Sequence, residues 1–155
     1  MSLENDSVRP IDILLVEDNE ADVKITLRAF EKGRLHNGIN VARDGEEALD
    51  FIYGLKTYQD RQRYPRPDLI LLDINLPKID GFNVLKKIKE DPDYKDIPVI
   101  MLTSSRNEGD MVNSFKYGAC SYIQKPVSFQ QFVEIASGFK FYWQIINRFP
   151  IKQRT

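Results

Sequence analysis

The sequence of 155 residues has few of the side chains on which much protein chemistry depends. Cys120 is the single cysteine, so an internal disulfide and a zinc site built from several cysteines are excluded. His36 is the single histidine, which excludes a multi-histidine metal site and disfavours catalysis led by an imidazole. Chemistry in this chain is therefore expected to rest on carboxylates, hydroxyls and lysines.

Excess charge and long apolar runs are also missing. With 22 Lys and Arg against 23 Asp and Glu, the chain does not have the basic surplus that binding to nucleic-acid phosphates requires. Its longest apolar runs, 11–16 and 69–72, are far shorter than the roughly 20 residues of a membrane-spanning helix. The N-terminus does not have the pattern of a signal peptide. We expect a cytoplasmic protein with no nucleic-acid partner and no direct insertion into a membrane.

Short apolar runs alternate with longer segments of helical period, which is typical of an α/β fold. The first, third and fourth runs are almost continuously apolar, as expected for strands covered by helices on both faces of a parallel sheet. The pattern predicts one domain over residues 9–149, with its core at about 9–138. The five predicted strands are 11–17, 38–42, 68–73, 98–103 and 119–123.

Local signals mark where two of the helices begin. Asp44, followed three residues later by Glu47, is a candidate N-cap pair for a helix that runs to about residue 53. Ser128 and Gln131 form a capping-box pair for the last helix. The segment 55–67 is predicted to be a solvated loop.

Acidic residues finish two of the predicted strands. The first strand ends in Glu17 and Asp18, and the third ends in Asp73. In an open parallel sheet, ligands bind beyond the carboxyl ends of the strands, so these three carboxylates should converge. Because they would repel one another, a divalent cation with oxygen ligands is the simplest remedy, and Mg²⁺ fits a site with few protein oxygens better than Ca²⁺ does.

A phosphoryl group beside that cation would give the neighbouring residues roles. Asp73 is placed to be the nucleophile and to become an aspartyl phosphate. Lys125 and Thr103 can bind the phosphoryl oxygens, and Ser104 is small enough to leave the approach open. Asn75 can add an oxygen to the metal, most simply its backbone carbonyl.

Each of these residues also has a purely structural interpretation. The segment Glu17-Asp18-Asn19 is able to cap the first helix, and an aspartate such as Asp73 often forms a turn. Thr103 suits a strand because it is β-branched, and Lys125 suits a solvated surface. These interpretations explain each residue only separately, whereas a metal-assisted phosphoryl site explains all the strand ends together.

The residues at the strand ends belong to five short motifs, which are LLVEDN at 14–19, LLDINLP at 71–77, DG at 80–81, MLTS at 101–104 and KP at 125–126. Together, these motifs resemble the receiver domain of two-component response regulators. The resemblance covers about residues 9 to 138 and is strongest to the single-domain type associated with phytochrome-type histidine kinases.

The resemblance implies a doubly wound, flavodoxin-like sheet with strand order 2-1-3-4-5. It implies that Asp73 accepts a phosphoryl group from a sensor histidine kinase, while Glu17, Asp18, Asp73 and the Asn75 carbonyl hold Mg²⁺. Thr103 and Lys125 would bind the phosphoryl oxygens. Thr103 and Tyr122 would form a switch pair, and the peptide before Pro126 would be cis. Such a protein is a signalling phosphoacceptor that catalyses only its own phosphoryl transfer and dephosphorylation.

The chain ends about where a DNA-binding domain would begin, so we expect it to signal through its own surface. The last helix is predicted to run from 128 to 149, about 33 Å at 1.5 Å per residue, and so to extend beyond the sheet. Its far half is apolar on nearly every side, which favours a homodimer or a partner contact. The residues predicted for that interface are Phe139, Tyr142, Trp143 and Ile146.

We compare three alternative functions with the phosphoacceptor predicted above. A phosphatase of the haloacid dehalogenase type places a second aspartate two residues after its nucleophile, where this chain has Asn75, which is no general acid. A flavodoxin-like FMN carrier needs a first loop that cradles phosphate, and Glu17, Asp18 and Glu20 would repel one. An inactive receiver used as an adaptor is the third.

Overall fold

Five parallel strands form the single sheet of the computed structural model, which describes residues 11–33, 38–104 and 108–138. The strand order is β2-β1-β3-β4-β5, which confirms the predicted doubly wound sheet. The three nearly continuous apolar runs are its central strands, as expected. The strands are β1 (Asp12–Val16), β2 (Gly38–Ala42), β3 (Leu69–Asp73), β4 (Val99–Thr103) and β5 (Ser121–Gln124).

Four of the described helices connect consecutive strands, and a fifth follows β5. Asp44 caps α2 by accepting a hydrogen bond from the backbone N–H of Glu47 at 2.7 Å, and Ser128 caps α5 through the N–H of Gln131 at 3.1 Å. Both predicted N-caps are therefore confirmed. The helices are α1 (Glu20–Lys32), α2 (Gly45–Tyr53), α3 (Gly81–Glu90), α4 (Glu108–Lys116) and α5 (Phe129–Ala136), with a short 3₁₀ helix at Lys56–Tyr58.

The sheet separates two hydrophobic clusters. Side chains alternate along each strand, so that Ile70 and Leu72 belong to one cluster whereas Leu69 and Leu71 belong to the other. In the second cluster, the rings of Phe30 and Phe132 pack 4.7 Å apart and join α1 to α5. All residues of β3 and β4 are buried, which fixes the ends of these two strands in place.

The last strand begins two residues later than predicted. The turn that ends α4 extends to Ala119, whose N–H donates to the Ser114 carbonyl at 2.9 Å. Gly118 has φ +105° in this turn, a conformation that L side chains rarely adopt. The turn therefore occupies the first residues of the predicted strand, and β5 starts at Ser121.

The segment 55–67 is more ordered than a solvated loop. Most of its side chains are exposed, but the Arg61 guanidinium donates to the carbonyl oxygens of Phe51 at 2.9 Å, Ile52 at 2.5 Å and Tyr64 at 3.1 Å. The ring of Tyr58 also packs 4.9 Å from that of Phe51. The segment is thus fastened to the end of α2.

The described part of α5 ends at Ala136, and a turn follows at Ser137 and Gly138. The remainder of the predicted helix, 139–149, lies outside the described residues, and so do the predicted interface residues Phe139, Tyr142, Trp143 and Ile146. Within the ranges that the structure describes, no helix has the length and apolar character needed to cross a membrane.

Candidate functional site

Three carboxylates converge at the carboxyl ends of β1 and β3, as predicted. Glu17 follows β1 and extends its pairing with β2, because its N–H donates to the Ala42 carbonyl at 2.9 Å. Asp73 is the last residue of β3. Glu17 and Asp73 are buried, whereas Asp18 is exposed, and one carboxylate oxygen from each lies within 4.8 Å of the other two.

This donor set fits a hard divalent cation. It consists of carboxylate oxygens, which are the ligands that Mg²⁺ and similar ions prefer. Two of the carboxylates are buried beside each other, where their mutual repulsion is costly unless a positive charge is present. The exposed Asp18 leaves one side of the cluster open to solvent.

Lys125 supplies a positive charge at the same place. Its Nζ lies 2.9 Å from Glu17 Oε1, 3.0 Å from Asp22 Oδ2 and 3.4 Å from Asp73 Oδ2, and its side chain is only 10% exposed. The lysine follows β5 directly, and its backbone N–H donates to the Thr103 carbonyl at 2.7 Å. The peptide bond to Pro126 is cis, as predicted.

Burial and charge shift the pKa values of both partners. Burial, and next the negative charge of Glu17, raise the pKa of Asp73 to about 7, although Lys125 opposes this shift. Burial lowers the pKa of Lys125, but hydrogen bonds to Glu17 and Asp22 and the charge of Asp73 more than offset it, so its pKa is raised. Lys125 therefore remains an ammonium, and Asp73 is a carboxylate with an unusual affinity for a proton.

Asp22 is a site residue that the sequence analysis missed. It lies in the first turn of α1, where its backbone N–H donates to the side chain of the N-cap Asn19 at 3.0 Å. Acidic residues are common in the first turn of a helix because they interact favourably with the helix dipole, so Asp22 did not stand out. The contact that makes it part of the site is with Lys125, 103 residues away, and no local pattern in the sequence indicated it.

The other predicted residues lie around this cluster. Thr103 is buried at the end of β4, next to β3, and Ser104 follows it and is exposed. Asn75 is exposed two residues after Asp73. Tyr122 lies half-buried on β5, and its ring meets that of Phe115 edge-on at 6.3 Å.

A glycine supports the end of β3. The N–H of Gly81 donates to the Ile74 carbonyl at 2.8 Å, and a Cβ at this position would lie 2.2 Å from the carbonyl oxygen of Asp73. No side chain fits there. The Asp80-Gly81 pair of the sequence motif thus caps α3 and lets that helix approach the backbone of Asp73 closely.

Comparison with known proteins identifies the family. The response regulator receiver domain matches residues 13–137. The chain belongs to this family. A curated receiver protein, the response regulator Rcp1 of Synechocystis sp., is 36% identical over 141 residues, which span 91% of this chain and 94% of Rcp1.

Solved structures of response regulators are similar to this chain in sequence and in fold. The bacteriophytochrome response regulator AtBRR is 44% identical with a TM-score of 0.75, over 83% of this chain and 91% of that one. The phosphorylated cyanobacterial phytochrome response regulator RcpA is 39% identical with a TM-score of 0.71, over 86% and 94%. The Mn²⁺-bound form of Rcp1 is 37% identical with a TM-score of 0.69, over 87% and 95%.

These relatives define what kind of protein this is. It is a receiver-domain response regulator, homologous to phytochrome-associated regulators of similar length, and therefore a two-component signalling protein. Membership implies a histidine kinase as partner. Receiver domains bind a divalent metal, which agrees with the carboxylate cluster in this chain.

Proposed function

We propose that this receiver domain accepts a phosphoryl group on Asp73 from the phosphohistidine of a sensor kinase. The observation that carries the proposal is the juxtaposition of a buried Asp73 with the Lys125 ammonium, 3.4 Å away, inside a cluster of three carboxylates. A carboxylate nucleophile and a nearby cation are the two groups that phosphoryl transfer asks of a protein.

In the proposed reaction, an Asp73 carboxylate oxygen attacks phosphorus as the phosphorus–nitrogen bond of the phosphohistidine breaks. The imidazole leaves as a neutral ring that keeps the proton on its other nitrogen. Lys125 neutralises charge on the phosphoryl oxygens, and the Thr103 hydroxyl donates a hydrogen bond to one of them. Ser104, exposed and small, leaves the approach to Asp73 open.

We propose Mg²⁺ as the resident cation, held by Glu17, Asp18, Asp73 and the backbone carbonyl of Asn75. The donor set consists of oxygens and is partly open to solvent, which suits a cation that retains several waters. When bound, Mg²⁺ neutralises negative charge on the carboxylates and on the phosphoryl oxygens.

The proposed output is a two-state switch. Phosphorylation of Asp73 would bias Thr103 on the neighbouring strand and, through β4 and β5, the half-buried Tyr122. Met101 lies two residues before Thr103 on β4 and is the register partner of Tyr122 on β5. A short path through these two strands therefore joins Thr103 to Tyr122. The proposal treats the protein as a phosphoacceptor without turnover of a separate substrate.

We further propose a kinase partner, a dimer contact and a cellular location for this protein. A phytochrome-type kinase is favoured because AtBRR and RcpA, to which this chain is similar, are named as phytochrome response regulators. Homodimerisation through Phe139, Tyr142, Trp143 and Ile146 stays a prediction about residues outside the described ranges. A cytoplasmic location is consistent with the lone Cys120.

The test is intact mass spectrometry of the full chain after incubation with acetyl phosphate and MgCl₂. We expect one phosphate adduct that is absent in Asp73→Asn and after addition of EDTA. Asp80→Asn is the matched control, because Asp80 is an exposed helix cap outside the cluster and asparagine also caps helices. An adduct that persists in Asp73→Asn would contradict the assignment, and no adduct in the wild type would favour the inactive adaptor.

Sedimentation of the same samples tests the dimer. An increase in mass on phosphorylation would support self-association as the output. An unchanged mass would contradict phosphorylation-dependent pairing and direct attention to another partner.

A further inference from the structure

The Lys125 ammonium has three carboxylate partners in the described part of the chain, and they are not equivalent. Glu17 lies 2.9 Å away, Asp22 lies 3.0 Å away and Asp73 lies 3.4 Å away. Glu17 and Asp73 belong to the carboxylate cluster, whereas Asp22 lies outside it. Lys125 is thus shared between the candidate metal ligands and one carboxylate that has no other assigned role.

Asp22 approaches Lys125 from a rigid position. Its backbone is fixed in the first turn of α1 by the bond from its N–H to the Asn19 side chain. Its side chain is 29% exposed, so one side is open to water while the other faces the ammonium. This helix packs on the sheet through Val23, Thr26 and Phe30, which are buried, and that packing holds the first turn at the edge of the site.

An almost fully buried ammonium needs a carboxylate partner, and an ammonium has three N–H donors to direct. If Asp22 were absent, the remaining carboxylate partners of Lys125 among the described residues would be Glu17 and Asp73. Those are the groups whose oxygens a divalent cation would use. The ammonium and the cation would then compete for the same lone pairs.

We propose that Asp22 is a positioning residue that gives Lys125 a carboxylate outside the metal cluster and so leaves Glu17 and Asp73 available to a divalent cation. The inference rests on the proposed function, in which those carboxylates hold Mg²⁺. Because Asp22 still pairs with Lys125 when the cluster binds the cation, the Lys125 ammonium stays beside Asp73. The lysine is then already in place for the incoming phosphoryl group.

The experiment is a calorimetric titration of MgCl₂ alone into the full chain, without a phosphodonor. Four proteins are compared: wild type, Asp22→Asn, Lys125→Gln and the double variant. We expect Asp22→Asn to weaken Mg²⁺ binding about tenfold, the lower end of the effect of outer-shell partners on metal affinity. In the Lys125→Gln background, the same substitution should change the affinity less than about threefold, because the competing ammonium is gone.

An equal loss in both backgrounds would overturn the inference, since Asp22 would then act on the cation without Lys125. No loss in either background would overturn it as well. Asp22→Asn keeps the shape of the side chain, and Asp22→Ala provides a second variant whose loss should likewise depend on Lys125. Urea unfolding of each variant separates a folding defect from a loss of affinity.

Glu20→Gln is the matched control. Glu20 is the other acidic residue in the first turn of α1, is exposed and pairs with Arg43. Removing its charge should leave Mg²⁺ affinity within about twofold of wild type, because Glu20 is outside the Lys125 network. An effect as large as that of Asp22→Asn would attribute the loss to helix charge and overturn the inference.

Asp18→Asn separates this inference from the proposed function. If the wild type binds Mg²⁺ and Asp18→Asn does not, the metal site is supported and the Asp22 result bears on this inference alone. If the wild type does not bind, or Asp18→Asn binds equally well, the proposed metal site fails and the inference fails with it.

Discussion

The hydroxyl of Tyr58 donates a hydrogen bond to a Glu47 carboxylate oxygen at 2.5 Å and so joins the segment 55–67 to the first turn of α2. Burial, and next this hydrogen bond, raise the pKa of Tyr58 to about 12. The folded protein therefore holds the phenol proton more tightly than the unfolded chain does. The stabilisation from this group is complete below the unfolded pKa of about 10 and is lost as pH rises through the folded pKa.

We expect the free energy of unfolding to fall more steeply between about pH 10 and 12 in the wild type than in Tyr58→Phe. The phenylalanine variant keeps the ring contact with Phe51 and removes only the titrating hydroxyl. Urea midpoints measured at pH 7, 9, 10 and 11 give the comparison. Parallel curves for the two proteins would show that Tyr58 does not contribute this pH dependence.

Arg61→Ala should destabilise the protein by about 1–3 kcal/mol, because it removes donors from the carbonyl oxygens of Phe51, Ile52 and Tyr64. Hydrogen exchange across 55–67 should become faster. Arg63→Ala is the control, because Arg63 is exposed and its guanidinium lies over the Tyr64 ring at 5.3 Å without these backbone bonds. Equal losses in the two variants would be inconsistent with an Arg61 anchor.

Gly81→Ala should destabilise the fold by about 1–3 kcal/mol through overpacking, because its Cβ would overlap the Asp73 carbonyl oxygen. The displacement should also weaken Mg²⁺ binding, which calorimetry measures. Gly138→Ala is the comparison variant, since the nearest atom to its Cβ would be the Ile135 carbonyl oxygen at 3.7 Å, an ordinary contact. Wild-type stability in Gly81→Ala would refute the close approach of α3.

Phe132→Ala should cost about 3–5 kcal/mol of stability, because it opens a cavity where this ring meets Phe30 between α1 and α5. Thermal and urea unfolding measure the loss. Phe115→Ala removes the same side chain from a position that is 49% exposed and should cost much less. Similar losses at both positions would argue against a tight α1–α5 contact.

The sheet and much of the candidate site could be predicted from the sequence because local patterns determine them. Continuous apolar runs indicated β1, β3 and β4, since only strands covered on both faces are apolar throughout. Glu17, Asp18, Asp73 and Lys125 come at the ends of strands, and parallel strands bring their carboxyl ends to one edge. The structure brings these four residues together as expected.

What the sequence did not reveal depends on distances that only folding sets. The contact between Asp22 and Lys125 joins positions 103 residues apart, and an acidic first turn has an adequate local explanation. The hydrogen bonds from Arg61 to the end of α2 likewise depend on the rotamer of a long side chain, which the sequence does not determine. The late start of β5 follows from a turn in which Gly118 has a positive φ. The spacing of apolar residues does not indicate such a turn.

Among the residues that the structure describes, the sheet divides the interior into two layers that share no strand side chain. Ile70 and Leu71 are adjacent in sequence and pack in different clusters. The free-energy costs of two substitutions, one in each layer, should add where the two residues lie well apart and share no neighbour. Substitutions that adapt one face of the protein to a new partner are therefore compatible with an unchanged opposite face. They are also compatible with unchanged strand ends, which carry the carboxylates.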